Sequence, residues 1–368
     1  MIRPKEKHFA FFVTSHGFGH ATRASAIIRA LHSDIPCRFT VFSTIPPWFW
    51  KENLNQCNFQ HFQAETDIGL IQKDPFSHDL SKTIQKLSQF LSFESENYQK
   101  CFDKIKALEP DAILCDISPT GLKISKSLGI PSVLIENFSW DWMYETYFTE
   151  APELKALSMR LEKIYSHASI RIHATPCCNP YNAKNIVPPI YREGREKSED
   201  LRKKLRITDK EELILVTTGG IELNYQFVEE LKQIKDNTFI LTGNFQKVEK
   251  IGNLIFMPMQ NEYWFPDLIK AAKIVVGKIG YGTLVECWAG KTAMLAIFRK
   301  KFRESDTLRS FAQNNMPFHE ISESEFTSGQ WINKMLEFAK LAEKKAFTTA
   351  NNGSHEAVKL IKSILPSQ

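Results

Sequence analysis

Short apolar runs alternate with amphipathic stretches along the chain. Five runs rich in Phe, Val and Ile in the first half have the length of buried strands: residues 9–14, 39–43, 112–115, 133–136 and 170–174. Between them lie segments with apolar residues at helical spacing: residues 24–32, 81–108 and 121–128. Strands that alternate with helices predict a parallel sheet with helices on both faces.

The second half has the same pattern. Its predicted strands are residues 213–218, 239–242, 254–258, 274–277 and 293–298. Its predicted helices are residues 225–234, 283–289 and 331–346. We therefore predict an α/β protein made of two doubly wound, Rossmann-like units.

The predicted boundary is the segment 187–204, VPPIYREGREKSEDLRKK, because its prolines stop regular structure and its charges favour solvent. The breaker Asn351-Asn352-Gly353 precedes a last segment, 354–365, with apolar residues at helical spacing. The predicted organisation is an N-terminal domain of residues 1–187, a second domain of residues 188–350, and a C-terminal helix within residues 351–368 that docks on the N-terminal domain.

Length, charge and cysteine content narrow the function classes. A chain of 368 residues is too long for one compact core. The 47 Lys and Arg against 42 Asp and Glu give a net charge of +5, spread without basic runs, so we expect no nucleic acid partner. No apolar run reaches the roughly 18 residues of a membrane span, and the seven scattered cysteines favour reduced thiols. We expect a soluble, cytoplasmic protein.

The first segment with candidate chemistry is SHGFGHATR, residues 15–23, at the turn from the first strand to the first helix. Ligands of open α/β sheets bind at such carboxyl edges, and glycines there allow close backbone approach. His20, or His16 in reserve, is the candidate general base, with Asp116 after a later strand as the carboxylate that orients it. The alternatives are histidines that only bond a carbonyl and an Asp116 that only caps a helix.

The second segment is GKIGYGTLVE, residues 277–286, at the corresponding turn of the second half. Lys278, three glycines and the start of a helix predict a phosphate cradle, in which the N–H groups of Gly282 and Thr283 face the anion. Glu286 is placed to accept hydrogen bonds from ribose hydroxyls, unless it is only solvated or a cap. The loop TTGG, which contains Gly219 and Gly220, is a second turn of small residues that is expected to bind the same diphosphate.

Other nucleotide-binding patterns are missing. The first turn is not G-x-G-x-x-G, and no acidic residue follows the second strand, so a nicotinamide dinucleotide is not expected. The Walker A pattern is also absent. We expect no cofactor.

The order of these two turns resembles that of the GT-B glycosyltransferases. The segments SHGFGHATR, ENFSWDWMYETY (136–147) and GKIGYGT, with the late Asn-Gly, are moreover similar over nearly the whole chain to the N-terminal glycosyltransferase-like portion of plant L-arabinokinases. Those proteins continue into a sugar-kinase module that these 368 residues lack, so we carry over no kinase activity. The resemblance implies a GT-B fold, with two Rossmann-like domains facing a cleft and a final helix that returns to the N-terminal domain.

The resemblance also implies roles for residues. His20 matches the base of the plant transferases and Asp116 its carboxylate partner. Donor contacts fall on the second half: Gly219, Gly220, Lys278, Gly280, Gly282, Thr283, Glu286, Glu304 and Asp306. Acceptor contacts are assigned to Gly17, Gly19, Arg23, Trp140 and Trp142, although most of the aromatic cluster at 138–148 is expected to pack in the core.

The predicted function is transfer of a sugar from a nucleotide diphosphate sugar, preferably a UDP-sugar, to the hydroxyl of an unknown acceptor. The transfer is expected to invert the configuration of the anomeric carbon. No D-x-D triplet occurs, and Lys278 with the helix end supplies positive charge, so we expect no metal site. The alternatives are a non-catalytic nucleotide-sugar-binding regulatory module and a nucleotide-sugar 2-epimerase. The aromatic segment PPWFW (46–50) is expected to pack in the core or at a domain edge, to contact the acceptor, or to meet a membrane surface or a partner.

Overall fold

The computed structural model describes residues 6–72, 78–217, 226–342 and 346–365. The chain forms two compact units. The N-terminal unit comprises Met1–Tyr191, Lys301–Glu304 and Asn351–Gln368. The C-terminal unit comprises Arg192–Lys300 and Ser305–Ala350.

The N-terminal unit is built on a seven-stranded sheet whose strands all run parallel. The strands are β1 (Lys7–Val13), β2 (Cys37–Ser43), β3 (Phe59–Gln63), β4 (Ala112–Asp116), β5 (Ser132–Glu136), β6 (Ile170–Ala174) and β7 (Ile186–Val187). Their order is β3-β2-β1-β4-β5-β6-β7, so the order reverses between β1 and β4. The loops that follow β1 and β4 therefore meet at the topological switch point, where open α/β sheets bind ligands.

The helices described between these strands are α1 (Phe18–Asp34), α2 (Pro47–Asn53), α3 (Leu80–Phe90), α4 (Glu96–Leu108), α5 (Pro119–Leu128), α6 (Trp140–Tyr144) and α7 (Glu153–Tyr165). The single helix predicted for residues 81–108 is wrong, because the structure divides it into α3 and α4. The chain turns at Phe93, which has a φ of 57°, and the Ser95 side chain then accepts a hydrogen bond from the Tyr98 N–H as an N-cap.

The C-terminal unit contains a second seven-stranded sheet, ordered β10-β11-β9-β8-β12-β13-β14. Among these described strands, only β10 runs antiparallel to its neighbour. The elements of this part of the chain are α8 (Ser198–Lys204), β8 (Glu212–Thr217), α9 (Val228–Lys232), β9 (Asn237–Gly243), β10 (Glu249–Ile251), β11 (Leu254–Pro258), α10 (Phe265–Ala271), β12 (Ile274–Lys278), α11 (Tyr281–Gly290), β13 (Ala293–Ile297), α12 (Glu304–Asn315), β14 (Phe318–Glu320), α13 (Glu323–Ser328) and α14 (Trp331–Ala342). The switch point of this sheet lies between β8 and β12.

The last helix, α15 (Ser354–Ser363), packs within the N-terminal unit against α1, and Lys362 donates to Asp34 over 2.7 Å. The division after Tyr191 lies four residues beyond the predicted boundary at 187. Its physical reason is that the Gly353 N–H donates to the Pro189 carbonyl and the Asn352 amide donates to the Tyr191 carbonyl. These bonds tie residues 188–191 to the N-terminal unit.

The cysteines form no disulfide bonds. All seven lie within the described residues, and burial raises the pKa of Cys115 and Cys287 well above the ordinary value. Within the described ranges, none of the helices has both the length and the apolar character that crossing a membrane requires.

Candidate active site

The turn from β1 to α1 carries the first candidate residues. Gly17 precedes the helix with a φ of 78° and a ψ of 172°, a conformation that favours glycine. His20 and Arg23 are three residues apart on α1, so they share one face of the helix. Asp116 ends β4, where it lies opposite Val13 of β1. The sheet order therefore brings a residue 96 positions away beside His20.

His20 and Asp116 form a short hydrogen bond. The His20 Nδ1 atom lies 2.7 Å from Asp116 Oδ1, and both side chains are buried. An ionised carboxylate only accepts hydrogen bonds, so Nδ1 carries the proton and donates, and Nε2 of a neutral ring is left as the basic atom. The His20 ring also meets Phe138 edge-on at 5.8 Å between centroids.

Arg23 holds the same carboxylate. Its Nε donates to Asp116 Oδ2 over 2.7 Å and its Nη2 donates to Oδ1 over 2.8 Å. Burial alone would raise the pKa of Asp116, but the Arg23 charge and the His20 and Arg23 hydrogen bonds hold it below its ordinary value. Arg23 is 1% exposed and its guanidinium is engaged inside the protein, which argues against the acceptor contact predicted from the sequence.

His16 is anchored away from Asp116. Its Nε2 lies 2.6 Å from the Ile68 carbonyl oxygen, which fixes the proton on Nε2 as the donor. The ring packs over Gly69, where a β-carbon would lie 2.0 Å from Nε2, and meets Trp140 edge-on. In this structure His16 therefore holds the segment after β3, and its role as the reserve base stays a prediction.

Asp67 belongs to that segment, and its role was not predicted from the sequence. Its Oδ2 accepts a hydrogen bond from the Trp140 indole over 2.6 Å. Burial raises the pKa of Asp67, although the nearby His16 opposes the rise. The only sequence signal was its place after a strand, and β3 itself was not predicted.

The two tryptophans assigned to the acceptor contact other side chains of the protein. Trp140 is 1% exposed and its indole N–H donates to Asp67, which argues against the acceptor contact predicted from the sequence. Trp142 is half-buried, and the Arg303 guanidinium lies 4.0 Å from the centre of its ring. Arg303 also donates to the Trp142 carbonyl over 2.6 Å. Gly17 is exposed on the turn before α1, and Gly19 is half-buried in the first turn of that helix.

The predicted donor residues Glu304 and Asp306 have different surroundings. Glu304 is buried within the N-terminal unit, where its Oε1 accepts from the Asn137 amide over 2.7 Å. The Asp306 side chain is 85% exposed and pairs with Arg309 on the same helix. The structure therefore brings Glu304 into a buried network and leaves Asp306 in solvent.

The turn from β12 to α11 carries the candidate phosphate cradle. Gly277 has a φ of 147°, and a β-carbon there would lie 1.7 Å from the Thr217 carbonyl oxygen. Lys278 follows at the strand end; burial and the charge of Arg299 lower its pKa to about 7. Gly280 is the N-cap of α11, with Gly282 and Thr283 in the first turn. Gly219 and Gly220 lie outside the described residues.

Glu286 is one turn further into α11 and is already bound by a cation. Arg192 Nε donates to Oε1 over 2.7 Å, and its Nη2 donates to Oε2 over 3.0 Å. Both partners are buried. The structure thus gives the predicted ribose-binding carboxylate a bidentate arginine partner, which the sequence did not predict.

Comparison with known proteins identifies the family. Residues 8–310 match the family described as Glycosyl transferase family 1. The chain belongs to that family. The α/β architecture with two seven-stranded, mostly parallel sheets is the GT-B fold that was predicted, and the chemistry of the family is glycosyl transfer.

Individual relatives support the same fold. L-arabinokinase of Arabidopsis thaliana is 24% identical over 339 residues, which are 90% of this chain but only 32% of that protein, so the chain spans about a third of the relative's length. A UDP-glucosyltransferase from Polygonum tinctorium capable of glucosylating indoxyl is 12% identical with a TM-score of 0.64 and full coverage of both chains. MurG of Acinetobacter baumannii is 18% identical with a TM-score of 0.54, over 97% of this chain and 100% of that one.

Proposed function

We propose that this glycosyltransferase moves a sugar from a nucleotide diphosphate sugar to an acceptor hydroxyl with inversion, and that His20 is the general base. The observation that carries the proposal is the 2.7 Å bond from His20 Nδ1 to Asp116, because it directs the proton to Nδ1 and leaves Nε2 basic. In the proposed step Nε2 takes the proton of the acceptor hydroxyl. The acceptor oxygen forms a bond to the anomeric carbon as the bond to the diphosphate breaks.

The residues proposed to bind the diphosphate of the donor are on the C-terminal unit. Lys278 and the N–H groups at the start of α11 supply positive charge to the departing diphosphate. Lys278 is half-buried beside the charge of Arg299, an arrangement that disfavours the ammonium until an anion is bound. We propose that this positive charge replaces a divalent metal ion. A uridine diphosphate sugar is the proposed donor, by analogy with the similar UDP-glucosyltransferase.

The donor is tested first, by thermal shift with UDP-, GDP-, dTDP- and ADP-sugars in the presence of a chelator. A ligand at 100 times its dissociation constant stabilises the folded protein by about 2.7 kcal/mol. We expect the largest rise in Tm with a UDP-sugar. Stabilisation that appears only after addition of a divalent ion would contradict metal independence.

The base is tested with His20→Ala in a transfer assay against a panel of hydroxyl acceptors. We expect a loss of about 10²- to 10⁴-fold in kcat, with the donor-induced thermal shift retained. The matched control is His8→Ala, because His8 is also buried but bonds Thr40 near the other end of β1. Unchanged turnover in His20→Ala would refute the base. NMR of the product sugar shows whether its anomeric configuration is inverted or the sugar is epimerised.

A further inference from the structure

A continuous chain of buried polar side chains runs through the N-terminal unit. It links His20, Asp116, Arg23, Asn137 and Glu304 in that order. Each bond in the chain is 2.7 Å long, and every member is at most 8% exposed. The proposed base and the carboxylate predicted to hold the donor sugar are therefore its two ends.

Arg23 is the branching member. Two of its nitrogens, Nε and Nη2, bind the two oxygens of Asp116, and the third, Nη1, donates to Asn137 Oδ1 over 2.7 Å. A planar guanidinium offers this fork, whereas a lysine ammonium does not. Buried bidentate pairs of this kind fix orientation as well as charge. Arg23 therefore sets the position of the carboxylate on which the His20 tautomer depends.

Asn137 links two residues of the N-terminal unit that are far apart in the sequence, Arg23 and Glu304. Its Oδ1 accepts from Arg23 while its Nδ2 donates to Glu304 Oε1. An amide side chain has an oxygen that accepts from Arg23 and an N–H that donates to Glu304. A carboxylate at this position could not donate to Glu304, and an apolar side chain could form neither hydrogen bond. The Asn137 side chain thus has one orientation that satisfies both neighbours.

We propose that Arg23 and Asn137 are positioning residues that align His20 and Glu304 through this single buried network. The inference rests on the proposed function for its catalytic meaning, since neither residue is expected to touch the substrate. The geometry itself is independent of that function. A substitution of Arg23 or Asn137 is expected to disturb the positions of both His20 and Glu304.

The first test is a double-mutant cycle on kcat with Arg23→Gln, Asp116→Asn and the double variant. If Arg23 acts through Asp116, Arg23→Gln lowers kcat by about 100-fold in the wild-type background and by less than about 3-fold in Asp116→Asn. Equal losses in both backgrounds would overturn the proposal. The double variant removes both buried charges together, which favours folding over leaving one of them unpaired. Arg29→Gln is the control, because Arg29 is on the same helix but bonds the Asn53 carbonyl.

The second test does not need transferase activity. In protein labelled with ¹⁵N-histidine, the network predicts a His20 ring protonated at Nδ1 alone. Asn137→Ala is expected to shift that ring signal and Arg23→Gln to mix its tautomers, whereas Arg29→Gln leaves it unchanged. A His20 signal that is insensitive to Asn137→Ala and Arg23→Gln would overturn the coupling. If the signal responds but no donor supports transfer, the network stands and the proposed function fails.

Discussion

The two strand-to-helix turns of this protein have the same architecture, but their charged groups are arranged differently. At the turn after β1, the charges of Asp116 and Arg23 are paired with each other in a fully buried network with His20. At the turn after β12, Lys278 is half-buried beside Arg299, and burial together with the Arg299 charge lowers its pKa to about 7. One fold thus provides a buried, charge-paired site, which we propose for proton transfer, and a turn with two neighbouring cations, which we propose for the diphosphate.

The largest expected effect comes from breaking the paired network. Asp116→Ala leaves Arg23 buried without its carboxylate, and we expect a loss of about 3–5 kcal/mol in the free energy of unfolding. The control is Asp111→Ala, because Asp111 pairs with Lys7 at the partly exposed end of the sheet and should contribute about 1 kcal/mol or less. Chemical denaturation of both variants measures the difference, and equal losses would show that the buried network has no special contribution.

The second prediction concerns the backbone of the cation-rich turn. Gly277→Ala would place a β-carbon against the Thr217 carbonyl at a positive φ, so we expect about 3 kcal/mol of destabilisation from strain and overpacking. At Gly17 the φ is also positive, but a β-carbon there would have no neighbour within 4 Å. Gly17→Ala should therefore cost less than Gly277→Ala in the same denaturation experiment. The reverse order would contradict the close packing of β12 on β8.

The smallest effect is a dependence of donor affinity on pH. With a pKa of about 7, Lys278 loses its proton as the pH rises above that value, and binding a diphosphate requires the proton back. The Kd of the sugar nucleotide is expected to rise between about pH 7 and 9, by at most about tenfold per pH unit for one proton. Isothermal titration calorimetry in buffers of different ionisation enthalpy measures the proton uptake. Lys278→Met should bind more weakly and without this slope, whereas Lys270→Met should retain it.

The same Lys278 pKa has a consequence for stability, with a defined sign. The folded pKa is lower than the ordinary value of 10.5, so between about 7 and 10.5 the unfolded chain binds more protons than the folded one. This residue's contribution therefore makes folding more favourable as the pH rises through that window. The affinity for the donor and the stability of the free protein are expected to change in opposite directions.

The fold was largely predictable because its central strands are continuous apolar runs. Those runs located β1, β4 and β12, and the turns that follow them, and the fold class is confirmed. The pattern missed four short strands at the edges of the two sheets: β3 (FQHFQ), β7 (IV), β10 (EKI) and β14 (FHE). Edge strands need little apolar surface, so neither the spacing of apolar residues nor the local hydropathy reveals them.

The candidate site was predictable only in part. Adjacent strands explain why the sequence could place His20 beside Asp116. Spacing along α1 showed that Arg23 shares a face with His20, yet the sequence could not show that this face is buried against a carboxylate 93 residues away. Likewise, no sequence pattern indicated that Arg192 would form a bidentate ion pair with Glu286. Partners that are distant in sequence depend on tertiary packing, which local periodicity does not encode.

The short stretch Lys301–Glu304 bears on how this protein can be divided and recombined. It lies between β13 and Ser305, yet it belongs to the N-terminal unit, where Phe302 joins the aromatic core and Glu304 bonds Asn137. A truncation after Tyr191 would remove this stretch together with α15. A chimera that exchanges one unit with a relative must therefore transfer separate pieces of chain, and one joined at a single crossover would separate Glu304 from Asn137, to which it is hydrogen-bonded.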